Sequence, residues 1–147
     1  MMGDFERVVS REPLVIERRV RWAECDPAGV VYTGKFTEYL LSAMAHVLDT
    51  LAGEQRYFKW TEALGVDTPC KGLEMEFHSA LWPDDVFRMH CSVAAIRRSS
   101  FDVRVEAYEA GTERHIFTGR FSPICISRQV RKRVDIPPQL LEALRRL

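Results

Sequence analysis

Apolar and polar residues change period along the chain, and those changes mark out its elements. Over residues 14–22 they alternate, with Leu14, Ile16, Val20 and Trp22 on one side and Glu17, Arg19 and Arg21 on the other. Period two is the signature of a half-buried strand, here interrupted on its apolar side by Arg18. The run Ala23-Glu24-Cys25-Asp26-Pro27-Ala28-Gly29 then breaks the pattern with turn residues. Pro27 pushes Asp26 away from helical backbone angles, so the strand must end in an irregular loop. Beyond it Phe36, Tyr39, Leu40, Ala43, Met44, Val47, Leu48 and Leu51 follow the helical spacing without a miss. Thr33 is expected as the N-cap and Gly53 as the stop. Leu41 and Ala45 widen the stripe, which implies a helix embraced by other structure. A second short helix is expected over Tyr57–Leu64, closed by Gly65.

The remainder reads as strands. Leu73, Met75, Phe77 and Leu81 alternate with Glu74, Glu76 and His78 before a turn at Pro83-Asp84-Asp85. Phe87, Met89, Cys91, Val93 and Ala95 lead to a turn around Arg97-Arg98-Ser99, and Phe101, Val103, Val105 and Ala107 to another at Ala110-Gly111-Thr112. Residues 116–126 make the last strand, and Asp135-Ile136-Pro137-Pro138 can open a closing helix. The expectation is an α+β chain: a five-stranded antiparallel sheet and one long central helix. It forms a single domain over 1–147, with a core at about 12–127, loose polar residues before it and a basic tail and helix at 128–147. One helix covers only one sheet face. Val86, Ala94 and Ile96 place apolar side chains on the other, which points to a homodimer or homotetramer.

Composition sharpens this picture. A chain of 147 residues with 46% apolar residues can bury a core without disulfides. Lys+Arg 21 against Asp+Glu 21 argues against a nucleic-acid partner. The balance is uneven, however. Residues 128–147 hold Arg128, Arg131, Lys132, Arg133, Arg145 and Arg146 against Asp135 and Glu142. No apolar run approaches the roughly 18 residues that span a bilayer, so no membrane role and a cytoplasmic location are expected. Cys25, Cys70, Cys91 and Cys125 are widely spread and the histidines fall singly, so no metal site is expected.

The candidate chemistry lies at the loop before the long helix. A helix start offers unpaired backbone N–H groups and a partial positive charge for a developing oxyanion. A carboxylate beside it can act as nucleophile or as general base toward water. Asp26, followed closely by the amides near Thr33 and Gly34, supplies both. An Asp before Pro also commonly bonds its own turn, so spacing alone does not make this a site.

The run Glu24-Cys25-Asp26-Pro27-Ala28-Gly29-Val30-Val31-Tyr32 resembles the signature of 4-hydroxybenzoyl-CoA thioesterases, and more broadly of hotdog-fold acyl-CoA thioesterases. The similarity extends to Thr68-Pro69, to Pro83-Asp84-Asp85-Val86 and to Arg97-Arg98-Ser99-Ser100-Phe101. The resemblance implies the hotdog fold and hydrolysis of an aromatic or short-chain acyl-CoA, with coenzyme A as part of the substrate and no other cofactor. It makes Asp26 the catalytic carboxylate and the Thr33 amide the group that polarises the thioester carbonyl. Thr68 falls at a pocket-lining position, Tyr32 is a candidate lining residue, and Arg97 and Arg98 match a basic turn that meets the coenzyme A phosphates. It also implies a site between subunits. Thr33 stands where the family has Tyr or His, and Leu41 where the aromatic-acyl enzymes have a carboxylate, so the acyl group is left open. The alternatives are a non-catalytic acyl-CoA-binding hotdog protein and a hotdog hydratase or dehydratase. The latter needs a His near the helix start, and none lies there.

Overall fold

The apolar stripe becomes a 20-residue helix, α1 (Thr33–Ala52), in the computed structural model, which describes residues 5–147. Phe36, Tyr39, Leu40, Ala43, Met44, Val47 and Leu51 are buried along it. Each large apolar side chain so buried contributes roughly 1.5–3 kcal/mol, so this face fixes how the helix lies. Leu41 and Ala45 are exposed, and the embrace expected on their flank is not made within one chain. Tyr32, in extended conformation, is the N-cap, and Thr33 is the first helical residue. Gly53 ends the helix with a positive φ of 70°.

The strands are β1 (Glu6–Arg11), β2 (Leu14–Arg19), β3 (Val66–Asp67), β4 (Cys70–Phe77), β5 (Val86–Ile96), β6 (Phe101–Glu109), β7 (His115–Pro123) and β8 (Ile126–Ser127). Six of them form one antiparallel sheet in the order β1-β2-β5-β6-β7-β4, and β3 pairs with β8 apart from it. The inner face carries Leu14, Ile16, Phe87, Met89, Val105 and Phe117, all buried against α1. At Gly119 a Cβ would lie 2.9 Å from Leu40 Cδ1, so glycine is what lets α1 press onto β7. Helix α2 (Tyr57–Leu64) follows α1 and ends at Gly65 with φ +77°. Helix α3 (Pro138–Arg146) buries Leu140, Ala143 and Leu144.

Several expectations are corrected. The sheet has six strands, not five, because Glu6–Arg11 pairs with β2 at the edge. It begins before residue 12, and α3 joins the core beyond residue 127. Strand β2 stops at Arg19, so Trp22 lies in a 3-10 turn (Trp22–Glu24) and is 83% exposed rather than on the apolar face. The last strand divides at Pro123 into β7 and β8. The outer sheet face is largely charged rather than apolar: Arg88 pairs with Glu17 at 3.0 Å, Arg104 with Glu106 at 2.7 Å and Arg120 with Glu74 at 2.6 Å. Ile96, at the end of β5, is itself 38% exposed, and edge strand β4 exposes Leu73 and Phe77. Among the described residues no helix is long and apolar enough to cross a membrane.

Candidate active site

Backbone bonds clamp the loop between β2 and α1 at both stems. Val20 donates its N–H to the Asp85 carbonyl at 2.8 Å, and Val31 donates to the Leu81 carbonyl at 2.9 Å. Cys25 and Val31 form a β-bridge, and within it the Asp26 N–H reaches the Val30 carbonyl at 2.9 Å. Ala28 donates its N–H to Asp26 Oδ1 at 2.8 Å, the turn bond that Asp before Pro commonly makes. Asp26 is half-buried, and among the described residues no hydrogen bond engages its Oδ2.

Helix α1 begins six residues beyond Pro27, at Thr33. Its first backbone bond runs from the Lys35 N–H to the Tyr32 carbonyl at 3.0 Å, so the N–H groups of Thr33 and Gly34 lack an intrahelical acceptor. A Cβ on Gly34 would come within 3.0 Å of Tyr32 Cε2, so glycine makes room for the Tyr32 ring over the helix start. Lys35 Nζ lies 5.7 Å from the centre of the same ring. Asp26, Tyr32, Thr33 and Gly34 thus share one end of α1.

Beneath this loop lies a buried ionic cluster that the residue pattern did not reveal. Glu24, 2% exposed, accepts hydrogen bonds from the Arg21 N–H at 2.9 Å, the Tyr39 hydroxyl at 3.0 Å and the Arg18 guanidinium at 2.5 Å. Arg18 also donates to Glu6 at 2.7 Å, and Ser42 and His46 meet the second Glu6 oxygen at 2.6 and 3.0 Å. Burial pushes both carboxyls up, but their hydrogen bonds outweigh it. Glu24 sits below the ordinary carboxylate range, and Glu6 is drawn down to about 2. Burial and the neighbouring Glu24 charge push the Tyr39 phenol up, so it stays a donor. The one sequence signal was Arg18 itself, a charge on an otherwise apolar strand face.

Thr68, Arg97 and Arg98 lie elsewhere. Thr68 Oγ1 is 2.8 Å from the hydroxyl of Tyr57, whose burial pushes it up to about 12. Arg97 donates Nε–H to Ser100 Oγ at 2.9 Å and grips both carboxylate oxygens of Asp102. That grip, with Ser122, holds Asp102 down at about 2. Arg98 is 86% exposed in its side chain and pairs with Asp135 at 2.8 Å. Arg97 and Arg98, but not Thr68, line an open groove of about 500 Å³, where Lys71 and Arg133 join them. Of the other tail cations, Arg128 and Arg131 instead pair with Asp67, at 2.7 and 2.5 Å.

The two groups stand apart. The Phe77 ring lies 5.3 Å from Phe36, near the start of α1. From Phe77 the strand β4 runs back to Cys70, two residues from Thr68, a length of roughly 25 Å at the rise of an extended chain. One chain therefore holds the carboxylate and helix amides at one end of β4 and the basic groove at the other. Among the described residues no group of three His, Cys, Asp or Glu side chains is arranged to hold a metal ion.

Comparison with known proteins agrees with the fold. A 1,4-dihydroxy-2-naphthoyl-CoA thioesterase from Synechocystis superposes with a TM-score of 0.77 at 20% identity, covering 88% of this chain and 93% of that one. A thioesterase-superfamily protein from Jannaschia sp. CCS1 gives 0.79 at 25% identity, covering 92% and 93%. A 4-hydroxybenzoyl-CoA thioesterase variant bound to 4-hydroxybenzoyl-CoA gives 0.77 at 17% identity, covering 88% and 96%. No curated protein matches the chain. The thioesterase-like superfamily profile matches residues 20–144, from the end of β2 into α3. The chain belongs to the thioesterase-like superfamily and is a thioester hydrolase on the hotdog fold.

Proposed function

We propose that the protein hydrolyses an acyl-CoA thioester, with Asp26 as its catalytic carboxylate and the Thr33 and Gly34 amides as its oxyanion donors. The observation that carries this reading is that the half-buried Asp26, one oxygen free of hydrogen bonds among the described residues, lies on the loop leading into α1, whose first two N–H groups have no acceptor among those residues. Those amides polarise the thioester carbonyl as negative charge builds on its oxygen. Two routes start from this arrangement. Asp26 attacks the carbonyl carbon, the C–S bond breaks, coenzyme A leaves as the thiolate and water hydrolyses the acyl anhydride. Alternatively, Asp26 takes a proton from a water that attacks directly. Single turnover in H₂¹⁸O tests the first: ¹⁸O enters the Asp26 carboxylate only when an anhydride has formed and water attacks its aspartyl carbon, and trapping the acyl group with hydroxylamine reports an anhydride that opens at the acyl carbon instead.

Arg98, Lys71 and Arg133, with the N–H groups that Arg97 has left, suit the coenzyme A phosphates. Coenzyme A is part of the substrate, and the scheme needs no other cofactor. The acyl group is aromatic or short-chain, with Tyr32 beside its carbonyl and Thr68 toward the pantetheine side, and the proposed location is the cytoplasm. The working form is a homo-oligomer built on a dimer. Antiparallel pairing of the exposed β4 edges about a two-fold axis would bring the Asp26 end of one protomer to the basic groove of its partner and cover Leu73 and Phe77.

Thiol release from a panel of aromatic and short-chain acyl-CoAs tests the activity. Asp26→Asn should lower kcat by about 100-fold or more. Unchanged turnover in that variant would remove Asp26 from the mechanism.

A further inference from the structure

We propose that Glu24 is a positioning residue for Asp26: it ties the loop that carries the carboxylate to the helix that carries the oxyanion amides. The inference rests on the reading of Asp26 as the catalytic carboxylate. Attack on a thioester requires the carboxylate and the two N–H groups to keep a fixed separation, although they belong to different elements. A misplacement of about 1 Å is enough to cost on the order of 100-fold in rate. Among the described residues the Tyr39–Glu24 bond, at 3.0 Å, is the one side-chain hydrogen bond from this loop to α1. Tyr39 lies six residues into the same helix whose first amides are the proposed oxyanion donors, so Glu24 holds the loop against the body that presents them.

The other Glu24 bonds serve the same end. Its Oε1 accepts the Arg21 N–H at 2.9 Å and so closes the 3-10 turn that leads into Cys25 and Asp26. Its Oε2 takes Arg18 at 2.5 Å, and Arg18 is anchored in turn on Glu6 at 2.7 Å. Through Glu6 the cluster reaches α1 a second time, at Ser42 and His46. Arg18 is also set between aromatic rings, 4.7 Å from the centre of Tyr39 and 4.8 Å from that of Phe5. As a device for stability the cluster is poorly built. Taking three charges out of water seldom repays itself, and Arg18 Nε is buried without a partner among the described residues. As a device for geometry it is well built, since the Glu24 oxygens have defined donors from β2, the turn and α1.

The test uses the full chain as wild type, Glu24→Gln, Asp26→Asn and the double variant, read by thiol release and by amide hydrogen exchange. Glu24→Gln should fold, lose about tenfold or more in kcat and keep KM within about twofold. Exchange should quicken across residues 22–31 and stay unchanged in β5, β6 and β7. In the Asp26→Asn background the Glu24→Gln change should alter the residual rate by less than about twofold, because a misplaced carboxylate matters only where there is a carboxylate. A kcat within about twofold of wild type overturns the proposal, as does the same fractional loss in both backgrounds. Loss of kcat with unchanged loop exchange overturns it too. Should Glu24→Gln fail to fold, Tyr39→Phe removes a single hydroxyl and carries the same measurements, with about a threefold loss of kcat expected. If the wild type releases no thiol from any acyl-CoA, the functional reading fails on its own. The exchange arm then still decides whether Glu24 orders the loop, and unchanged exchange overturns that.

Discussion

At Gly29 the backbone takes φ +87°, a left-handed angle that a Cβ makes costlier by about 1–2 kcal/mol. The turn behind Asp26 depends on that angle, because Gly29 donates its N–H to the Asp26 carbonyl at 2.9 Å. Gly29→Ala should lower stability by about 1 kcal/mol and lower kcat more than it raises KM, measured by urea midpoint and thiol release. This turn was legible in the sequence, since Asp, Pro and Gly each have a local conformational reason to stand where they do. Arg18 was not. Within β2 it reads as an interruption of the apolar face, and its burial is tolerable only because Glu6 and Glu24, 12 and 6 residues away, fold back onto it. Arg97 shows the same limit: the turn suggests a free basic pair, but the paired sheet hands one of its two guanidinium groups to Asp102.

Among the elements, α1 was the most legible because its period is carried by large side chains that all face the sheet. How closely it could approach was not, since that is set by the side chain missing at Gly119. Gly119→Ala should destabilise by about 1–3 kcal/mol through overpacking against Leu40. In the double variant with Leu40→Ala that cost should largely vanish, and urea midpoints of the two singles and the double would show the coupling. Strand β1 escaped the pattern for another reason. Its only apolar residues are Val8 and Val9, and an edge strand is held by backbone pairing on one side without needing an apolar face. The strands with clear alternation, β5 and β6, are the central ones, buried on the face that the pattern reports.

For the whole molecule, the depressed carboxylates set an acid limit. Glu6, down from the ordinary 4.5 to about 2, supports the folded state fully above pH 4.5, and that support is lost as pH falls toward 2. The contribution is at most about 3 kcal/mol, so urea midpoints should drop between pH 5 and pH 3 and drop less in Glu6→Gln. A site shared between protomers, as proposed, makes a second prediction. Asp26→Asn and Arg98→Glu chains, each impaired alone, should rise to about a quarter of wild-type turnover when mixed at limiting acyl-CoA and allowed to exchange, because random pairing gives half hybrids with one intact site each. No recovery would place the whole site within one chain. The resemblance implied a site between subunits, but the residue pattern could not show how far apart in one chain its two groups stand, because that distance is set by the length of β4.

The separation of roughly 25 Å along β4 also has a thermodynamic consequence. A substrate whose acyl end rests on one protomer and whose phosphates rest on the other acts as a crosslink, so substrate binding and self-association are linked. Whatever factor pairing adds to the affinity for acyl-CoA, acyl-CoA must add to the affinity of the chains for one another. Specific activity should therefore fall on dilution, and a non-hydrolysable acyl-CoA analogue should shift the sedimentation boundary toward the paired form at concentrations where the free chains come apart.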